Sequence, residues 1–259
     1  IVFAVLFMVL LNTAILAHRE GTSLEGTRII IDPGHGGVDG GTNNSTDFFE
    51  KNINLEISLK LRDILKSHGV QVSMTREKDI SLDNKNKVSS SRHKRDLTAR
   101  VEEFNSGKYD LFLSIHVNHS SNSRAIGPVI IYSPSHPQNE VLANYLQKEM
   151  NTHIKQQFNK NFNRLPVKYN MFILRNARIP GVIIETGFIS NLSNRELLQN
   201  DKYQDKLAQH IFEGMKEYIL NELSSHDNDQ DDIFYNMPPD QQDNHPFNIM
   251  NEVRLVKNK

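Results

Sequence analysis

The chain of 259 residues contains no cysteine. That excludes disulfides and thiolate metal sites, so any bound metal ion has to use His, Asp or Glu, and it removes cysteine as a covalent nucleophile. The sequence also lacks a Gly-x-Ser-x-Gly elbow, which leaves the usual serine route without support. No sign of charge dominates: 30 Lys and Arg stand against 31 Asp and Glu, a formal net charge of -1. Global charge therefore argues neither for nucleic acid nor for a strongly acidic partner. Absence of cysteine fits an exported bacterial protein that does not rely on disulfides. Residues 1–17 (IVFAVLFMVLLNTAILA) are almost wholly apolar and are followed by His18, Arg19 and Glu20. Such a run is a secretory signal core or a short membrane anchor, near the lower limit of about 17 to 25 residues for a spanning helix. With no initiator Met and no basic flank before Ile1, its start is expected to be truncated. Either reading exports the remainder of the chain and places it outside the cytoplasmic membrane, in the cell wall or anchored to the membrane and facing the wall.

A small polar linker, 18–27, leads into a domain in which strand and helix patterns alternate up to residue 223. Three β-branched residues mark a strand over 28–32. The spacing of Ile53, Ile57, Leu61, Ile64 and Leu65 then predicts a helix over Glu50–Ser67, ended by Gly69. Further strands are expected over 70–75, 109–116 and 128–132, and in the apolar run that reaches Glu185. Helices are expected over 96–105, with Asp96 as N-cap, and over 138–154, 194–198 and 202–220. This alternation favours one sheet with flanking helices. Residues 79–95 read as an exposed basic loop (Lys85, Lys87, Arg92, His93, Lys94, Arg95), either simply solvated or facing an anionic polymer or partner. Residues 156–176 read as a long loop with one apolar piece at 171–174. Its aromatics, amides and basic groups suit a polymer groove; nucleic-acid stacking is discounted because the chain reads as exported. Residues 224–259 turn to Asp, Asn, Gln and Pro without periodicity, as in a disordered acidic tail.

The stretch Ile29-Ile30-Ile31-Asp32-Pro33-Gly34-His35-Gly36-Gly37 organises the chemistry. A buried strand runs into a stiff turn, and glycines on both sides of His35 let the backbone approach whatever the imidazole holds. A solvated turn histidine would read the same way. A second apolar strand, 109–116, also ends in a histidine, His116, and two such strands can deliver both imidazoles to one edge of a parallel sheet. With Glu50 at a helix start they make two imidazoles and a carboxylate, a ligand set that leaves a catalytic metal an open position. Glu50 is equally explained by the helix dipole, and His93, His119 and His136 allow other combinations. Glu185 is costly at the end of a buried strand without a partner. If apolar neighbours raise its pKa, it suits general base and acid work beside such a metal, the make-up of an amide hydrolase.

Taken in order, Asp32-Pro33-Gly34-His35-Gly36-Gly37, Glu50-Lys51, Ser114-Ile115-His116-Val117-Asn118 and Glu185-Thr186-Gly187-Phe188-Ile189-Ser190-Asn191 resemble the zinc-dependent N-acetylmuramoyl-L-alanine amidases over roughly residues 28–220. The resemblance implies an α/β fold with a mixed, largely parallel central sheet flanked by helices in a single catalytic domain. It implies Zn2+ held by His35, Glu50 and His116, catalysis by Glu185, and hydrolysis of the amide between the lactyl group of muramic acid and the L-alanine of the stem peptide in peptidoglycan. Within the family the chain looks most like the CwlD-type sporulation amidases, which strip stem peptides so that muramic-δ-lactam can form in the spore cortex. That likeness rests on the single N-terminal apolar segment, a compact domain without wall-binding repeats, and the basic run before Asp96-Leu97-Thr98-Ala99-Arg100. It leaves room for a protein activator. His119 and the acidic tail depart from the family pattern.

Overall fold

A computed structural model describes residues 24–42 and 48–223. The apolar run 1–17, most of the linker and the acidic tail lie outside the described residues. Leu24–Glu217 forms one compact unit; the described part of a second unit, 218–223, contains a π-helical turn, Ile219–Leu223. Among the described residues no helix is long and apolar enough to cross a membrane.

Six strands form one sheet in the order β2-β1-β3-β6-β4-β5: β1 (Arg28–Pro33), β2 (Gln71–Met74), β3 (Leu111–Asn118), β4 (Val129–Tyr132), β5 (Val167–Lys168) and β6 (Gly181–Phe188). The pairings β1·β2, β1·β3, β3·β6 and β4·β5 are parallel, and β4·β6 is antiparallel. The expected mixed, largely parallel α/β sheet is therefore present. The central strands are apolar on both faces because both are covered: Ile29, Ile30 and Ile31, then Leu111, Phe112 and Leu113, and Val182, Ile183 and Ile184 are all buried.

The helices are α1 (Glu50–Ser67), α2 (Arg92–Phe104), α3 (Gln138–Phe158), α4 (Phe172–Asn176), α5 (Leu192–Leu198) and α6 (Asp201–Tyr218). From β1 the chain crosses outward to β2 through α1 and back to β3 through α2. Crossovers of one hand then put α1 and α2 on opposite faces. On the α2 face, Val101 and Phe104 pack with Ile173 and Leu174 of α4 over Ile30, Phe112 and Ile183. The rings of Phe104 and Phe112 stack at 4.3 Å. Elsewhere α6 joins α1 through Gln204 and Glu56 (2.7 Å) and α3 through His210 and Glu149 (3.2 Å).

Several boundaries differ from the sequence reading. Helix α2 starts at Arg92, four residues early, because Ser91 and not Asp96 is its cap and accepts from the Lys94 amide. Asp96 instead lies buried inside the helix, where it accepts from Arg100 Nε (2.7 Å) and the Leu82 amide (2.7 Å). Residues 92–95 of the supposed basic loop thus form the first turn of α2, and Asp83–Lys85 forms a 3-10 turn. The supposed long loop 156–176 holds the end of α3, the strand β5 and the helix α4. Finally, β3 and β6 continue past His116 and Glu185, to Asn118 and Phe188.

Candidate functional site

The C-terminal ends of β1 and β3, with the adjoining part of β6, converge where the chain leaves β1. His116 and Glu185 are register partners on adjacent parallel strands, so both side chains rise on the same face of the sheet. On that face Glu185 also shares a wall with Ile183, two residues before it. His35 comes from the turn after β1 and Glu50 from the first residue of α1.

Nε2 of His35 lies 3.2 Å from Glu50 Oε1, and Nδ1 of His116 lies 3.0 Å from the same oxygen. The two rings stand edge to face with centroids 5.0 Å apart. His35, Glu50 and His116 are a group that could hold a metal ion, their ligand atoms all within 4.8 Å of one another. Glu50 is fixed for this position: Oε1 accepts from the Val117 amide (3.0 Å) and Asn54 Nδ2 (3.3 Å), and Oε2 from the Thr42 amide (2.8 Å). Burial pushes its pKa up, but the hydrogen bonds with His116 and His35 outweigh burial and hold it well below the usual carboxylate range. Of the other histidines considered, His93 and His119 line the neighbouring cavity wall. His136 accepts from the Gln138 amide at the start of α3.

The other ring nitrogen of His35, Nδ1, lies 3.0 Å from Asp39 Oδ2. A carboxylate on the far nitrogen of a ligating imidazole fixes its tautomer and orientation. Burial pulls the His35 pKa down, yet bonds with Asp39 and Glu50 lift it to about 9. His35 itself has φ 62, a left-handed conformation that a side-chain-bearing residue keeps only where surroundings enforce it. Two buried arginines enforce it here. Arg76 donates to the carbonyls of Pro33 (2.9 Å), Gly34 (2.9 Å) and Lys51 (2.8 Å), and Arg100 to those of Pro33 (3.0 Å) and His35 (2.7 Å). Asp32, fully buried, neutralises Arg100 and accepts from Thr75 (2.6 Å) and Ser114 (2.7 Å).

Two glycines in this turn are required by space. A Cβ on Gly34 would stand 2.2 Å from the His116 ring, and one on Gly41 would stand 2.7 Å from Glu50 Oε2. Above the triad opens a cavity of about 390 Å³ whose wall includes Leu97, Met171, Phe172, Ile183 and Glu185. Glu185 is buried there with Oε2 lacking any hydrogen-bond partner. Burial, with the Glu50 charge adding and the imidazoles opposing, pushes its pKa up to about 7. An acid of that strength, with a free oxygen beside a metal-ligand group, can both accept and release a proton at neutral pH.

All four residues singled out in the sequence are thus brought together. Sequence reasoning missed Asp39, Arg76 and Arg100. The position of Asp39 four residues after His35, inside the same turn, was a usable signal; the arginines gave none, since their partners lie far away in the chain.

The same residues fall within a family match. The N-acetylmuramoyl-L-alanine amidase family matches residues 29–217. Among relatives, the germination-specific N-acetylmuramoyl-L-alanine amidase of Bacillus subtilis is 36% identical over 197 residues, covering 76% of this chain and 81% of that one. The probable cell wall amidase LytH of Staphylococcus epidermidis is 31% identical over 200 residues, 76% of this chain and 60% of its own. Among solved structures, the CwlD amidase of Clostridioides difficile, in complex with the GerS lipoprotein, superposes with a TM-score of 0.68 at 33% identity over 75% of this chain and 98% of that one. Fold, site and likeness agree, and the chain belongs to the N-acetylmuramoyl-L-alanine amidase family, enzymes of peptidoglycan.

Proposed function

We propose that this amidase is a zinc enzyme in which His35, Glu50 and His116 hold the ion and Glu185 moves the proton. The observation that carries the reading is the convergence of two imidazole nitrogens on one carboxylate oxygen beside a buried, unpartnered Glu185. Two nitrogens and one oxygen, with no thiolate available in the chain, make the donor set of a catalytic zinc site with a position left open. Bound there, zinc supplies a Lewis acid for the lactyl carbonyl and lowers the pKa of water toward about 7.

The protein's own groups do the rest. Asp39 keeps His35 in the tautomer that presents Nε2. Backbone amides of Thr42 and Val117 keep Glu50 ionised and oriented. Glu185 takes a proton from the attacking water and gives it to the nitrogen of L-alanine as the amide breaks, which leaves the lactyl carboxylate and a free stem peptide. The apolar wall of Leu97, Phe172 and Ile183 keeps bulk water away from that carboxyl.

Likeness to the germination-specific relative and to CwlD supports a role in spore cortex maturation, where removal of stem peptides permits muramic-δ-lactam formation. The relative's complex with a lipoprotein supports an activator of that kind as partner. The apolar run 1–17 supports export and action outside the cytoplasmic membrane, either after cleavage or from a membrane anchor. In this reading 18–27 is a linker and 28–223 the catalytic domain, followed by the acidic segment 224–259.

Glu185→Gln tests the assignment of roles. The variant is expected to keep its zinc, measured by elemental analysis, while turnover falls by about 10² to 10⁴. Unchanged turnover, or zinc lost in parallel with it, contradicts the role.

A further inference from the structure

One turn after Glu50, on the buried face of α1, stands a second polar residue, Asn54. It is 0% exposed, and residues four apart on a helix lie on the same face. Its Nδ2 reaches two acceptors at once: Glu50 Oε1 (3.3 Å), on its own helix, and the Gly34 carbonyl (3.2 Å), in the turn after β1. Gly34 precedes His35 and lies so close to the His116 ring that it has no room for a Cβ. One amide therefore spans the elements that supply all three ligands.

Neither acceptor depends on that amide for a partner. The Gly34 carbonyl also accepts from Arg76 (2.9 Å), and Glu50 Oε1 from the Val117 amide (3.0 Å). At the other side of the same side chain, Oδ1 is buried with no hydrogen-bond partner. A buried acceptor left in that state lowers stability. Leucine, with the same branching at Cγ, would fill the space without that penalty. What leucine cannot supply is the link between Glu50 and the turn.

We infer that Asn54 is a positioning residue of the metal centre. By holding the Gly34 carbonyl and the Glu50 carboxylate to one nitrogen, it fixes the gap between the His35 turn and α1. The inference rests on the zinc reading of His35, Glu50 and His116. Ligands already held at their spacing need not be gathered when an ion binds, and loss of an outer contact of this kind lowers metal affinity by about 10- to 100-fold. Ser58 provides the comparison. One turn further along α1, it is also fully buried, and its hydroxyl bonds to no ligand.

Zinc affinity of the full chain, measured by competition with a chromogenic chelator, and urea unfolding of the metal-free protein test the assignment together. Asn54→Leu is expected to raise the zinc dissociation constant by about 10- to 100-fold, while the metal-free urea midpoint stays at or above the wild-type value. The visible bands of the cobalt-substituted protein, which report ligand geometry, should shift in the same variant. Asn54→Ala removes both bonds without adding methyl groups; it should lose zinc affinity to the same extent, and it decides the matter if the leucine variant does not fold. Ser58→Ala should keep wild-type affinity and spectrum. Wild-type affinity in the folded Asn54 variants, or an equal loss in Ser58→Ala, overturns the positioning role and leaves the zinc reading intact. Wild-type protein that binds no zinc, or affinity that survives His35→Ala, overturns the zinc reading itself.

Discussion

At the scale of single residues, the site depends on small atoms being absent as much as on functional groups being present. Gly34 has no Cβ because the His116 ring occupies that space, with 2.2 Å between them if one were added. Gly34→Ala is therefore expected to displace the imidazole and lower zinc occupancy at least tenfold, read by elemental analysis, while the far-ultraviolet circular dichroism of the sheet and helices stays native. Full occupancy in that variant contradicts the packing argument. The residues to which the chemistry is assigned in the proposal are legible in the sequence, because His35, Glu50, His116 and Glu185 each sit at the edge of a strongly periodic or strongly apolar stretch. Those that hold them are not. Arg76 donates to carbonyls 42 and 43 positions earlier, and in the sequence it sits beside a polar segment that reads as solvated surface. Backbone carbonyls as partners leave no mark in a sequence at all.

At the scale of elements, the turn after β1 and the helix α2 form one device. Asp32, at the end of the strand, and Arg100, in the helix, make a buried ion pair. Arg100 also carries the strained turn by its bonds to the Pro33 and His35 carbonyls. Burial opposes ionisation of Asp32, but Arg100, Thr75 and Ser114 hold its pKa below the usual carboxylate range. Removing one member leaves the other charge buried and unpaired. Arg100→Ala is expected to cost about 3–5 kcal/mol of stability in urea unfolding; a loss within about 0.5 kcal/mol, the range of ordinary surface changes, would refute the clamp. The same helix shows where pattern reasoning stops. An aspartate before an apolar stretch is a good cap signal, yet Ser91 sits at the extended residue where the helix begins, and Asp96 serves tertiary contacts instead. Likewise β5 is two residues long and exposed, too short for alternation to stand out from a loop.

At the scale of the whole molecule, the parallel half of the sheet gathers His35, Glu50 and His116 at one edge, and the antiparallel β4 runs back alongside Glu185. Sheet order is not legible in the sequence, because it is set by which faces the crossover helices cover and not by any one strand's composition. Stability of the assembled unit should carry a pH signature from outside the site. His153 of α3 is buried between Tyr203 and His210, each with ring centroids 5.1 Å away. Burial above all, with the nearby positive groups adding, lowers its pKa from 6.5 to about 4. The unfolded chain then binds a proton that the folded one refuses, so this contribution to stability is complete above pH 6.5 and is lost as pH falls toward 4. His153→Gln should flatten the decline in urea midpoint between those values relative to wild type; an identical decline would contradict the assignment.

The central claim is that one zinc ion at His35, Glu50 and His116 drives cleavage of the lactyl–alanine amide. Metal analysis of the purified protein, with mass spectrometry of peptidoglycan fragments after incubation, tests it most directly. One zinc per chain and release of intact stem peptides beginning with free L-alanine is the predicted result. Protein lacking zinc that still releases those peptides, or zinc-loaded protein whose products are cut within the stem, would contradict it.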